Sequence, residues 1–118
     1  MVLRNPTPSE LNLLKFLIDK ADVSVIPKNW SMRLLVDEMD DGGMGSLQLF
    51  PEGIKNMNRK FGKQISDCQF TDEDGVEVIA SLYIDQFGFL YELDIWKTNF
   101  EKLMHIPMDT KKLRKLQK

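Results

Sequence analysis

The fold is decided by residues 65–96, which read ISDCQFTDEDGVEVIASLYIDQFGFLYELDIW. Hydrophobic residues alternate with polar ones in three runs, at 65–71, 76–84 and 89–96, and glycine-containing turns separate these runs. A period of two residues is typical of strands that bury one face. The stretch therefore predicts three strands that form an antiparallel meander.

The first turn of this meander has a register that its hydrophobic residues predict. A three-residue turn at 73–75 places Phe70 opposite Val78, so that the apolar rows of the two strands share one face. The same turn puts Gly75 where a type I turn followed by a bulge requires a left-handed backbone, and we therefore predict a bulge at Gly75. In this register Cys68 faces the core and behaves as a small buried hydrophobic residue.

The second turn is predicted to contain four residues, 85–88, because this length pairs Ile84 with Phe89 and aligns the two apolar rows. The residues of the third strand that would then face the core are Phe89, Tyr91, Leu93 and Ile95. The residues that would lie on the opposite face are Leu90, Glu92, Asp94 and Trp96.

An amphipathic helix is predicted near the N-terminus. Thr7 is a favourable N-cap, Pro8 suits the first helical position, and Glu10 completes a capping box with Thr7. The helix is expected to end near Lys20. The residues that recur at helical spacing and would face the core are Leu11, Leu14, Leu17, Ile18 and Ala21.

The remaining segments predict a hairpin and two irregular regions. Alternating residues at 32–39 and 45–50 flank a glycine-rich turn and predict two paired strands. Residues 51–63 have helical spacing that glycines weaken, so this segment is either a short helix or an irregular crossover. Asp109 could cap a last helical turn in a basic tail, 109–118, that we expect to be frayed.

Together these elements predict a single α+β domain over residues 1–118. Its antiparallel sheet would contain about five strands, from a hairpin plus a three-stranded meander, with the N-terminal helix and short helical segments covering one face. A length of 118 residues suits one domain.

Composition restricts the cellular compartments and the classes of partner that we expect for this protein. Cys68 is the only cysteine, which excludes an internal disulfide and fits a reducing compartment. No secretory signal or membrane-length apolar run occurs, so we expect a cytoplasmic protein with no membrane partner. A pI near 5.4 argues against nucleic acid as the main partner, and the basic tail is expected to be solvated.

No cofactor or metal site is predicted. The acidic turn 72–75 has its glycine at the fourth position, whereas a calcium-binding EF-hand loop requires it at the sixth. The glycine-rich segment 40–46 lacks the lysine of a phosphate-binding loop, and its aspartates would repel phosphate. His105 is the only histidine, so a metal site built on paired histidines is excluded.

Three sequence strings carry a resemblance to a known family. They are DGGMGS at 41–46, FTDEDG at 70–75 and ELDIWK at 92–97. With these strings, residues 4–104 resemble a family of small bacterial proteins of unknown function. The resemblance implies no activity and assigns no functional residue. Small acidic α+β domains of this kind also resemble immunity proteins that neutralise toxins, which is an analogy of size and charge.

Two functional hypotheses follow. The first is a non-enzymatic module that binds a basic protein partner, because acidic surfaces speed the capture of basic partners. The residues predicted to form its surface are Asp40, Asp41, Asp72, Asp74 and Trp96. The second is a small hydrolase, with or without a metal, that uses the carboxylates of Glu92 and Asp94. These two side chains are expected to lie about 6.5–7 Å apart on one face of a strand.

Trp96 has two interpretations at this point. It could be an exposed anchor for a protein partner, since tryptophan is enriched among residues that dominate binding energy. It could instead pack beneath a helix. The second interpretation is favoured because a sheet of this size must have at least one covered face.

Overall fold

The computed structural model of the protein describes residues 2–51 and 58–116. It confirms an α+β fold built from one long N-terminal helix and an antiparallel sheet, although the sheet has six strands instead of about five. The elements are α1 (Pro8–Lys20), β1 (Leu35–Glu38), β2 (Leu47–Phe50), β3 (Phe61–Thr71), β4 (Glu77–Asp85), β5 (Leu90–Lys97), a 3-10 helix (Thr110–Lys112) and β6 (Arg114–Lys115). The strand order across the sheet is β1-β2-β5-β4-β3-β6.

Helix α1 begins with the predicted capping box. The Thr7 side chain accepts a hydrogen bond from the backbone N–H of Glu10, and the Glu10 carboxylate accepts one from the backbone N–H of Thr7. The helix buries Leu13, Leu14 and Leu17 against the sheet. Leu13 was missing from the predicted core-facing residues, because the apolar face of the helix is broader than the stripe that strict spacing outlines.

The first turn of the meander has the predicted register. Phe70 pairs with Val78, and Cys68 pairs with Ala80. Gly75 has φ of 82°, in the left-handed region that the predicted bulge requires. The alignment of apolar rows was therefore sufficient to place this turn.

The second turn differs from the prediction. It has three residues, 86–88, closed by hydrogen bonds from Asp85 N–H to Phe89 O and from Gly88 N–H to Asp85 O. Ile84 consequently pairs with Leu90, and an irregularity next to Tyr83 then brings Leu82 opposite Leu93.

This register changes which side chains of β5 are buried. Leu90 is fully buried, whereas Tyr91 is only partly buried, so the predicted inward positions of Phe89 and Tyr91 were wrong. The Asp85 carboxylate explains the shorter turn, because it accepts hydrogen bonds from the N–H groups of Phe87 and Phe89. The irregularity restores the predicted inward positions of Leu93 and Ile95.

The hairpin of β1 and β2 is confirmed, but both strands are shorter than predicted. The segment predicted as a short helix or irregular crossover lies partly outside the described residues, at 52–57. β3 begins at Phe61, earlier than expected. Asp109 caps the 3-10 helix as predicted, and the following residues form β6, a strand that the sequence did not predict.

The core lies between α1 and one face of the sheet. That face carries the buried rows of the strands, which include Val36, Leu49, Phe70, Leu82 and Leu93. The opposite face carries no helix among the described residues. In the same part of the chain, no helix has the length and apolar character that a membrane span requires.

Candidate functional site

The three sequence strings that carry the family resemblance meet at one end of the sheet. The turn between β1 and β2, the turn between β3 and β4, and the segment that follows β5 contact one another there. We call this region the turn end and define it as residues 41–46, 72–75 and 97–105. Its contacts determine whether the predicted acidic residues are available to a partner.

The Asp41 side chain stabilises the turn that contains it. Its carboxylate accepts hydrogen bonds from the backbone N–H groups of Met44, at 3.1 Å, and Ser46, at 2.9 Å. Burial works to raise the pKa of Asp41, but the hydrogen bonds from Ser46, Met44 and Gly45 outweigh it, and the pKa is lowered. Asp41 is therefore an ionised internal cap of a glycine-rich loop.

Ser46 attaches this loop to β5. Its hydroxyl oxygen accepts a hydrogen bond of 2.8 Å from the backbone N–H of Ile95. The same hydroxyl lies 3.2 Å from the carbonyl oxygen of Ile95 and 3.3 Å from the carboxylate of Asp94. The Ser46 side chain thus joins the DGGMGS and ELDIWK strings next to the point where β2 pairs with β5.

A buried lysine joins the second turn to the end of β5. The Lys97 ammonium lies 2.8 Å from the Asp72 carboxylate and 2.6 Å from the Asp74 carboxylate, and it donates to the carbonyl of Lys102. Burial works to lower the pKa of Lys97, but the hydrogen bonds to Asp72 and Asp74 outweigh it, and the pKa is raised. Lys97 is therefore a charged residue within the fold.

Asp72 is buried and connects three segments. Besides Lys97, its carboxylate accepts hydrogen bonds from the backbone N–H groups of Glu73, Met104 and His105. Burial works to raise the pKa of Asp72, but the hydrogen bonds from Lys97, Met104 and Glu73 outweigh it and lower the pKa. Asp72 therefore holds the segment after β5 against the turn between β3 and β4.

The predicted binding residues of the turns consequently have different environments. Asp41, Asp72 and Asp74 are engaged by groups of the same chain, whereas Asp40 is exposed. Trp96 points away from this network, toward the helix-free face. The contacts at the turn end therefore fasten loops together, and further acidic side chains lie on another surface.

That other surface is the helix-free side of the sheet, which we call the outer face. Its members share the side opposite α1 because they pair directly across the strands. They are Asp37, Gln48, Asp67, Gln69, Glu77, Ile79, Ser81, Tyr83, Glu92, Asp94 and Trp96. The outer face is thus a continuous grid of polar, acidic and aromatic side chains.

Two aromatic residues are exposed together at one side of the outer face. Trp96 is 42% exposed and Phe100 is 70% exposed, and their rings lie 6.0 Å apart. The interpretation that a helix covers Trp96 was therefore wrong, because α1 packs on the opposite side of the sheet. Phe100 has φ of 64° and donates its backbone N–H to the carbonyl of Lys97.

Carboxylates surround Tyr83 at the centre of the outer face. Burial raises the pKa of Tyr83, and the charges of Asp94, Glu92 and Asp67 raise it further. Burial and the charge of Asp94 likewise raise the pKa of Glu92. Burial is the larger cause of both shifts, and the neighbouring carboxylates of this face add to it.

The predicted pair Glu92 and Asp94 lies side by side on the outer face of β5, as expected from strand alternation. The cavities described along the chain are lined by other residues, at the end of α1, at the C-terminal segment and beside His105. Within residues 2–51 and 58–116, no group of three or more side chains is placed to hold a metal ion.

Cys68 and His105 are not brought together as a reactive pair. Cys68 is fully buried, and its burial raises the pKa of the thiol to about 12. His105 is exposed at the turn end. Sequence reasoning missed Phe100 as a member of the aromatic pair, because the tight turn that presents it follows the end of β5 and has no repeating pattern.

The fold and the outer face define a small α+β domain with an open antiparallel sheet. Residues 3–107 match a protein family described as a domain of unknown function, DUF6984, and the chain belongs to this family. The match confirms the coarser part of the resemblance, which is membership of a family of unknown function. No curated protein and no solved structure matches the chain.

Proposed function

We propose that this chain is a protein-binding module that captures a basic partner protein on its outer face. The observation that carries the proposal is the open sheet face on which Trp96, Phe100 and Tyr83 lie beside several carboxylates. Trp96 and Phe100 form one ring pair, and Tyr83 forms another with Phe61, at 5.3 Å. Aromatic side chains beside charged groups are typical of protein interfaces, in which tryptophan and tyrosine dominate the binding energy.

The charge of the outer face indicates the chemistry of the partner. The acidic residues on it are Asp37, Asp67, Glu77, Glu92 and Asp94. Arg114, at the edge, forms an ion pair with Glu77. Two copies of this face would repel each other, so a basic partner is favoured over self-association through it.

The backbone conformation of Phe100 is a further observation that favours the outer face as the binding surface. A phenylalanine in the left-handed region costs of order 1 kcal/mol, and such residues concentrate at functional sites. Lys97 supplies the carbonyl that closes the turn at Phe100, and its ammonium is fixed by Asp72. The turn end thus holds Phe100 against Trp96, which gives the acidic network a supporting role in binding.

A toxin-neutralising role is one particular form of this function. An immunity protein must bind one partner tightly and quickly, and an acidic face promotes fast association with a basic protein. The resemblance in size and charge is the support for this form. The binding of a basic protein is the broader proposal and does not depend on it.

Affinity capture from the native cell, with matched variants, tests the proposal. We expect wild-type protein to recover a basic protein that Trp96→Ala and Asp94→Lys no longer recover. Asp40→Lys, at an exposed position of the β1–β2 turn, should still recover it. The association rate of the recovered protein should fall steeply as salt is raised. Equal recovery by all three variants would overturn the proposal.

A hydrolase is the second candidate because burial and the charge of Asp94 raise the pKa of Glu92, which is the direction that favours a general acid. An i, i+2 carboxylate pair on a strand has a separation that overlaps that of inverting glycosidases. The discriminating variant is Glu92→Gln, which keeps the shape of the side chain. This variant should abolish any hydrolysis but only weaken partner binding. Turnover that the wild-type protein shows and Glu92→Gln does not would therefore favour the hydrolase.

A further inference from the structure

The outer face is partly occupied by an arginine from the C-terminal segment of the same chain. Arg114 of β6 pairs with Gln69 of β3. Gln69 pairs in turn with Ile79 of β4, and Ile79 pairs with Trp96 of β5. Arg114 therefore lies on the outer face, in the same cross-strand row as Trp96. Neighbouring strands are about 4.8 Å apart, so the backbones of Arg114 and Trp96 lie about 14 Å apart along this row.

Glu77 is the carboxylate that Arg114 covers. The Arg114 guanidinium forms an ion pair with Glu77 and donates to the hydroxyl of Thr71 at 3.5 Å. Gln69 donates a hydrogen bond of 2.7 Å to the same carboxylate, and Thr71 donates another. The hydrogen bond from Thr71 lowers the pKa of Glu77 against the effect of burial, and Gln69 and Arg114 lower it further. The carboxylate that Arg114 covers is therefore charged at neutral pH.

The contact between Arg114 and Glu77 is accessible from solvent. Their side chains are 49% and 37% exposed, so neither charge is enclosed by the fold. Exposed ion pairs contribute little to stability, because water solvates both groups once they separate. The Arg114 side chain can therefore leave Glu77 while β6 stays paired with β3.

We propose that Arg114 is an intramolecular competitor for the outer face, and that it occupies on Glu77 the position that an arginine of the basic partner would take. This inference rests on the function proposed for the outer face. A standard interface covers about 800 Å² of each protein, which is a patch about 30 Å across. A partner centred on Trp96 would therefore reach Arg114 and meet a like charge until Arg114 leaves Glu77. Arg114 thus lowers the affinity for a basic partner and keeps Glu77 paired in the free protein.

Lys115 provides a matched control within the same strand. It pairs with Cys68, so its side chain lies on the α1 side of the sheet, where it lines a cleft with Lys20 and Asp22 of α1 and the residues after it. Arg114→Gln and Lys115→Gln each remove one positive charge from an exposed position of β6. The two variants differ in the face of the sheet from which the charge is removed.

NMR titration with a short capped peptide of alternating arginine and valine tests the proposal. We expect the peptide to shift resonances of β4 and β5 in the wild-type protein. Arg114→Gln should bind the peptide about threefold more tightly, whereas Lys115→Gln should bind it as the wild type does. When the wild-type protein is saturated, the Arg114 Nε–H resonance should move to the position of a free arginine, because a peptide guanidinium replaces it on Glu77.

The outcomes separate this inference from the proposed function. Absence of binding to every variant at about 1 mM peptide would contradict both. Binding to the outer face with equal affinity in wild type and Arg114→Gln, or with an unchanged Arg114 resonance, would overturn the inference alone. Equal gains in Arg114→Gln and Lys115→Gln would also overturn it, because the effect would then arise from net charge.

Discussion

Asp72 shows at the scale of a single residue why acidic side chains in turns were difficult to interpret from sequence. Its position in a glycine-containing turn predicted an exposed surface group, but the carboxylate is buried and bound by Lys97, Met104 and His105. A buried carboxylate is stable in its charged form only when cations or N–H groups compensate for lost water. Those partners come from a segment distant in sequence, which no local pattern identifies.

The lowered pKa of Asp72 predicts an acid-sensitive contribution to stability. A carboxylate with a lowered pKa stabilises the fold above its ordinary pKa of 3.8, and this contribution is lost as the pH falls through the lower folded value. Asp72→Asn should therefore reduce the urea midpoint at about pH 7, and the difference from wild type should shrink at about pH 3.

The control for this prediction is Glu73→Gln, which removes a neighbouring exposed carboxylate from the same turn. Its urea midpoint should follow that of wild type at both pH values. An Asp72→Asn protein as stable as wild type at neutral pH would show that the Lys97 network is not important for the fold.

At the scale of the element, the meander depends on two turns of the same length. Gly75 and Gly88 both have positive φ, at 82° and 97°, and each ends a three-residue turn. A Cβ atom added at Gly75 would meet nothing within 4 Å, so the requirement for glycine at this position is conformational. The turn thus provides a test of backbone conformation without interference from packing.

We predict that Gly75→Ala lowers the free energy of unfolding by about 1 kcal/mol. Gly75→Asn should have a smaller effect, because asparagine tolerates the left-handed conformation better than alanine. Urea denaturation of the two variants measures both values. Equal stability of Gly75→Ala and wild type would mean that the turn does not require the left-handed backbone.

The same two turns show which features of the fold could be predicted from the sequence and which could not. The aligned apolar rows predicted the register at Gly75 correctly, but at Gly88 the same argument chose a four-residue turn. A β-bulge allowed Leu90 and Leu93 both to face the core, and a strict alternation cannot anticipate an inserted residue. The outward position of Trp96 was predictable from alternation, whereas Phe100 and β6 depended on tertiary contacts.

At the scale of the whole molecule, charge is divided between two sides. Acidic side chains occupy the outer face, whereas lysines gather around the end of α1 and the C-terminal segment. A net charge of −2 conceals this separation, because the two sides nearly cancel. The surface proposed to bind a basic partner is therefore acidic although the chain as a whole is close to neutral.

Hydrogen–deuterium exchange of the complex with the captured basic protein tests the central claim most directly. We predict slowed exchange in β4, in β5 and at residues 98–100, with little change at 40–46 and 72–75. Slowed exchange confined to the turn end or to the β3 edge, with β4 and β5 unchanged, would contradict the assignment of the outer face as the binding surface.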